Sequence, residues 1–341
     1  MGYQISSIGD SVVERRAVAA FLASFVRDGE LLNPRPGDDQ ADVWEQRMGW
    51  WWDENPFCHD DSPRGYLLEH DESGIVGFNG LIPFEYEVDG ELLPTLVTTT
   101  FFVRAGHRSA VMGLLSRLRG LAKTHQIIDG SPSPEMRRLL DRLGYHHAGD
   151  RTQFLFPTAK FGGAGSRAIL RAIGWSHSLP PSEVVATCRI VRDPGVWGDF
   201  ASPRDGRIHR RLTPDSLRWF IRIGSEKRDF FGLVDAAGEP LAHAIGIYKK
   251  RHGIQTCLLL DYREYREGED GLGLLVRKLL DDPASGLDPA TKMIVLSRFG
   301  EPPRSAIAGR KVDSILYYQI PPPWQHHKKS CLPVEGDLPL L

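Results

Sequence analysis

The stretch that most constrains this chain is Val103–Leu115, VRAGHRSAVMGLL, read as a strand running into a tight turn that opens a helix. Upstream, Leu96–Val103 is dense in β-branched and aromatic residues, which suit a pleated, half-buried surface. Downstream, Leu114, Leu115, Leu118 and Leu121 recur at helical spacing, and Arg117, Arg119 and Lys123 fall between them. A helix starting near Ser109 turns its unpaired N–H groups and the positive end of its dipole toward the turn, where an anion such as pyrophosphate binds readily. Taken alone, a basic residue ahead of a small-residue helix start is most often just a helix N-terminus. The order of the neighbouring elements therefore carries the argument.

An amphipathic helix over Ser11–Phe25, with Asp10 or Ser11 as N-cap, comes first, followed by a Trp-rich helical segment near Val43–Trp52. Strands are expected over Gly65–Glu69 and Ile75–Pro83, and a hairpin over Phe84–Val88 and Glu91–Val103 around Asp89-Gly90, a strong hairpin signal. The helix Ser109–Lys123, a strand Gln126–Asp129, a helix Pro134–Leu143 closed by Gly144, and a strand Thr152–Phe156 follow.

On Val103, Arg108, Gly113 and Leu114-Leu115, with Gly144-Tyr145 as a glycine-aromatic pair, this half resembles the GNAT superfamily of acyl-CoA N-acyltransferases. The resemblance implies an α/β fold with a mixed sheet, and acetyl-CoA or a longer acyl-CoA as donor. It places the donor on Phe102, Val103, Arg108, Ser109, Ala110, Val111, Met112 and Gly113, with main-chain N–H groups around Phe101–Val103 polarising the thioester. Val111 stands where the family has its first glycine, which keeps the backbone donor but adds a Cβ. Leu140 occupies the position of a tyrosine that serves many members as the acid, so acid and base must come from elsewhere.

A chain of 341 residues is about twice a typical domain. The second half repeats the core order: a helix Thr213–Ile223 with Pro214 at its first position, strands Phe230–Asp235, Leu241–Lys249 and Ile254–Asp261, a helix Gly271–Leu280 and a strand Met293–Leu296. We expect two tandem GNAT-like domains, at 1–158 and 207–320, with a Gly/Pro-punctuated connector over 159–206 and an extended tail over 321–341. The loop Arg266–Gly273 is glycine-rich, yet its acidic residues repel an anion, so it reads as a helix cap. By resemblance the first half holds the donor, and the second is degenerate.

Composition removes several classes. With 42 basic against 44 acidic residues and a net charge of −2, nothing global favours nucleic acid. The basic runs Arg207–Arg211 and Lys249–His252 read as solvated faces. No stretch of ~20 apolar residues is present to span a membrane, and charges interrupt any N-terminal apolar run. Four scattered cysteines suit neither a disulfide scaffold nor a zinc site. A cytoplasmic location and no metal are expected.

Acyl transfer needs a deprotonated amine and help for the leaving thiolate. Three catalytic candidates arise: His107 beside Arg108, Glu85 on a strand face shared with Glu87, and Ser131 at the end of the fifth strand. Each has an ordinary structural reading as well, as a loop histidine, a wet hairpin face and a residue beside a helix cap. Three adjacent indoles, Trp50–Trp52, lie ~100° apart on a helix and cannot all face one core. Trp51 or Trp52 with Asp53 and Glu54 therefore either receives an apolar or cationic acceptor or bridges the domains. His146-His147 reads as strand and not as a metal site.

Two functions stay open. In one, the chain moves an acyl group from acyl-CoA to an amine of a small molecule or peptide. In the other, with Val111 and Leu140 departing from the pattern, it is a binding or scaffold module for an acyl carrier protein or a biosynthetic partner.

Overall fold

Asp89 and Gly90 sit at φ of 52° and 96°, the pair of left-handed residues that a tight two-residue hairpin demands, and they set the register of the longest strand pair in the molecule. The computed structural model describes residues 2–9, 11–30, 34–130, 132–176, 178–197, 201–224, 226–266, 268–299, 310–312 and 316–329. Its first half contains β1 (Tyr3–Ser7), α1 (Val12–Arg27), α2 (Ala41–Met48), β2 (Gly65–His70), β3 (Gly74–Val88), β4 (Glu91–Val103), α3 (Val111–Leu121), β5 (Gln126–Asp129), α4 (Pro134–Arg142), β6 (His146–His147) and β7 (Arg151–Pro157). Then follow α5 (Gly163–Ala172), α6 (Ser182–Val185), β8 (Arg189–Val191), β9 (Arg207–Arg210), α7 (Pro214–Arg222), β10 (Arg228–Val234), β11 (Pro240–Arg251), β12 (Ile254–Glu264), α8 (Gly271–Asp281), β13 (Met293–Phe299), β14 (Arg310–Val312), β15 (Tyr317–Gln319) and β16 (Lys328–Lys329).

These strands form two mixed sheets. The first runs β1-β2-β3-β4-β5-β15-β6, with β9 against the far end of β3 and β16 on β9; the second runs β14-β7-β13-β12-β11-β10-β8. Within the main run of each, one pair is parallel, β4–β5 and β12–β13, and the helix that follows β4 or β12 makes the crossover. The arrangement β1, β2, β3, β4∥β5 with α3 is thus repeated by β8, β10, β11, β12∥β13 with α8.

The two sheets exchange a strand. A boundary at 158 assigns Thr152–Phe156 to the first half, but β7 pairs with β13 and β14 in the second sheet. Reciprocally, β15 from the second half lies between β5 and β6 of the first. Side-chain burial drives the swap: Phe154 and Phe156, both fully buried, pack with Phe231 and Leu275, whereas Tyr317 packs with Leu140 and Tyr145. A further apolar cluster joins the halves, running from Trp44, Trp51 and Phe84 to Trp219, Phe220 and Phe230.

Three other expectations need correcting. Ile75–Pro83 and Phe84–Val88 are one strand, β3. Arg207–Arg211 is not a solvated run. It forms β9, whose Arg210 makes a fully buried ion pair with Asp261, while Arg211 pairs with Glu85. The connector is not merely a linker, since its β8 forms the edge of the second sheet. Of the expected tail, residues 330–341 lie outside those described; Pro322–Trp324 is a short turn, and β16 pairs with β9.

Candidate functional site

The first sheet opens where β4 outruns β5. Pairing between them ends, among the described residues, at Thr98–Asp129, yet β4 continues through Val103. Main-chain groups on that side of Thr99–Val103 are left for another partner, the situation that makes a strand edge a binding surface. Within this free edge Thr100 and Phe101 together oppose Asn79, a β-bulge, and Thr100 is held at φ 55°. A β-branched residue in the left-handed region is a true outlier, and such strain gathers at sites where a backbone group must be aimed. Opposite the bulge, Asn79 is completely buried with neither amide atom hydrogen bonded. Sequence reading passed over Asn79, because a polar residue in an apolar strand announces nothing about its partners.

The turn after β4 differs from expectation. Ala105–Ala110 is a 3-10 helix that runs directly into α3, with His107 N–H on the Arg104 carbonyl and Val111 N–H on that of Arg108. The helix start therefore moves back to Ala105, and Glu30 caps it: one carboxylate oxygen accepts the Ala105 N–H (2.9 Å), and the other pairs with Arg104 (2.7 Å). Arg108, Ser109 and Met112 stay exposed on the rim of the opening, Phe102 and Val111 are half-buried, and Val103 is buried. Gly113 has a packing role, since a Cβ there would stand 2.5 Å from Ile5 Cδ1 on β1.

In the second half the equivalent opening is bolted. Pairing of β12 with β13 ends at Leu259–Leu296, but Glu264 at the end of β12 forms an ion pair with Arg298 of β13 and accepts the N–H of Leu272 in the first turn of α8 (3.1 Å). Asp270 caps the same helix through Gly273 N–H (3.0 Å). Burial raises the Glu264 carboxyl above its ordinary range, and Arg298 works against that shift. The helix end that would receive an anion holds the protein's own carboxylates, in agreement with the helix-cap reading of Arg266–Gly273.

The remaining sequence candidates are dispersed. His107 lies beside β1, its Nδ1 3.1 Å from the Tyr3 hydroxyl and its ring 5.0 Å from that of His70. Glu85 is committed to Arg211 across the halves, and Ser131 lies outside the described residues. Trp51 and Trp52 are not pocket residues: they are 0% and 2% exposed, and Trp52 donates to the Leu81 carbonyl. A π-helical turn lies over Gly49–Asp53, closed by Glu54 N–H on Gly49, and both neighbouring indoles face inward. Trp50 bridges the halves instead, its carbonyl accepting the Trp219 indole N–H (2.9 Å). Asp53 pairs with Arg15 (2.6 Å), and Glu54 alone of the four faces an open groove, lined also by Pro56, Asp215, Arg218, Trp219 and Arg222. Leu140 is buried in the core. Tyr145, near Asp129 at the foot of the opening, is pushed well above the usual phenol range, by burial first and by that carboxylate second, and stays protonated. Among the described residues no three His, Cys, Asp or Glu side chains converge to hold a metal, and no helix is long and apolar enough to cross a membrane.

No protein-family model matches this chain, and no curated protein matches it. Solved structures do. A probable N-acyltransferase of Enterococcus faecalis superposes over 94% of this chain and 73% of its own, with a TM-score of 0.57 at 12% identity. A GCN5-related N-acetyltransferase of Anabaena variabilis covers 93% and 72%, at TM-score 0.54 and 11% identity. Eis1 of Mycobacterium abscessus covers 94% and 73%, at 0.52 and 12%. The fold is thus the α/β fold of the GNAT N-acyltransferases, and the likeness extends through both halves.

Proposed function

We propose that this chain is an acyl-CoA-dependent N-acyltransferase whose donor lies along the free edge of β4 in the first half, and that the second half is a structural partner without a donor site. The observation that carries this reading is the contrast between two equivalent openings. One is unpaired beyond Thr98 and strained at Thr100; the other is closed by Glu264 and Arg298. A fold by itself hosts many activities, and it is the open edge of β4 that distinguishes one half from the other.

The residues present fit such a donor. Free main-chain groups along Thr99–Val103 suit the amide-rich arm of a pantetheine and, at the bulge, a thioester carbonyl. Exposed Arg108 and Ser109 on the rim suit a phosphate, a contact that falls to side chains because Glu30 already takes the Ala105 N–H. The bound donor supplies a thioester, whose acyl carbon passes to an amine of a small molecule or peptide while the thiol leaves with a proton.

Calorimetric titration with acetyl-CoA and then longer acyl-CoAs tests the reading. One site per chain, weakened at least about tenfold in Arg108→Glu, is expected from loss of a charge-assisted phosphate contact. Failure of every acyl-CoA to bind overturns it and leaves a binding module that works without the donor; two equivalent sites per chain overturn the assignment of the second half.

A further inference from the structure

Between the halves lies an open groove of about 590 Å³, lined by Glu54, Pro56, Asp215, Arg218, Trp219 and Arg222. Its two walls come from different parts of the chain. The first-half wall is fixed to β3 by Trp52 donating to Leu81 (2.8 Å) and by the Asn55 amide donating to Pro83 (2.9 Å). Leu81 and Pro83 pair with Thr98 and Leu96, so this wall is anchored to β3 opposite the β4 residues that lead up to the bulge at Thr100. The second-half wall is α7, started by Thr213 and Ser216, which cap each other reciprocally, with Pro214 in the first turn. Phe84 packs against Trp219 at 5.6 Å and locks α7 to the first sheet.

The charges in this groove are unequal in their commitments. Arg218 is occupied by Asp215 (3.0 Å) and lies near Asp193 (3.8 Å). Glu54 and Arg222 are both exposed, and among the described residues neither takes part in an ion pair with the other or with any third group. An uncommitted carboxylate on one wall, an uncommitted guanidinium on the other, and the edge of an indole and a proline ring between them match a molecule carrying an ammonium, a carboxylate and an apolar body.

Resting on the acyltransferase reading, we propose that this groove is the acceptor site and that the acceptor is a zwitterionic amine of the amino-acid class. Its carboxylate faces Arg222, its ammonium faces Glu54, and its apolar part lies on Trp219 and Pro56. The acceptor then approaches the β4 bulge from the sheet face that carries Trp52, opposite to the face covered by α3. The ammonium gives one proton to solvent, the neutral nitrogen bonds the acyl carbon as the C–S bond breaks, and the second proton ends on the thiol.

The test pairs binding with turnover on the full chain. Phenylalanine and phenylalaninamide are titrated into the protein without donor, then compared as acceptors with acetyl-CoA, for wild type, Arg222→Ala and Arg222→Lys. The free acid is expected to bind and react better than the amide. Arg222→Ala should raise KM for the acid about 10–100-fold, the range of a hydrogen bond to a charged group, with kcat little changed and the amide unaffected. Arg222→Lys should recover part of the loss. Equal use of acid and amide, or an Arg222→Ala effect on both alike, overturns the proposal while leaving the acyltransferase reading intact. If acetyl-CoA does not bind, that reading fails, and the donor-free titrations still decide whether the groove takes a zwitterion.

Discussion

Gly65 shows how far one residue can be dictated by its neighbours. It sits at φ 135°, and a Cβ there would overlap the Asn79 carbonyl oxygen on the adjacent strand. Gly65→Ala should therefore cost about 3 kcal/mol or more, combining backbone strain with overpacking, measured as a drop in the urea midpoint at constant slope. His243 makes a different demand. It is fully buried, stacked on Phe230 at 5.6 Å and hydrogen bonded with the Tyr265 hydroxyl at 2.9 Å. Burial first, then Arg263 and Arg210, hold its pKa well below the usual imidazole range. Below ~6.5 the unfolded chain takes up a proton that the folded chain refuses, so stability is complete above that pH and drains as pH falls, by about 1.4 kcal/mol per pH unit for one proton. Urea unfolding at pH 7.5 and 5.5 should show this loss, and His243→Gln should flatten it by about one proton. Neither demand was legible in the sequence, where Gly65 is a strand's first residue and His243 one polar residue among apolar ones. Arg108 and Glu54 could be singled out, because local charge beside a helix is written in consecutive residues, whereas the packing of Gly113 against Ile5 could not.

At the scale of elements, the helix starts marked by a capping side chain were readable, and the start ahead of α3, which lies at Ala105 and not Ser109, was not. Thr213-Pro214 announces α7, and Thr213→Ala should cost about 1 kcal/mol, read by thermal melting, because a cap hydroxyl is lost from a helix that starts at a fixed place. Asp270 was likewise readable as a cap within Arg266–Gly273. Glu264 was not, since it belongs to the end of a strand and reaches α8 only after the chain has turned. Glu264→Ala should destabilise by about 2 kcal/mol, because it frees the Leu272 N–H and leaves Arg298 half-buried without its carboxylate. It should leave acyl-CoA affinity in the first half unchanged. The Trp50–Trp52 segment left two readings because helical spacing shows that three adjacent indoles cannot share one face but not which of them turns outward; Trp51 and Trp52 are buried, and only Trp50 reaches the other half.

For the whole molecule, the order of the core strands was visible along the chain and their partnership was not. Apolar and β-branched residues mark β7 as a strand but say nothing about which sheet will accept it, and β15, three residues long, was not marked at all. Fragments 1–158 and 159–341, expressed separately, should each fail to give a cooperative unfolding transition, while the intact chain should melt in a single step by both near- and far-ultraviolet circular dichroism. The exchange also orders events during synthesis. Domains usually fold one after another as they leave the ribosome, but here the place between β5 and β6 stays unfilled until Gln319 emerges. At about 5–20 residues per second the first sheet waits on the order of 10–30 seconds with an open strand edge, so the nascent chain must either be shielded by a chaperone or remain uncommitted until β15 arrives.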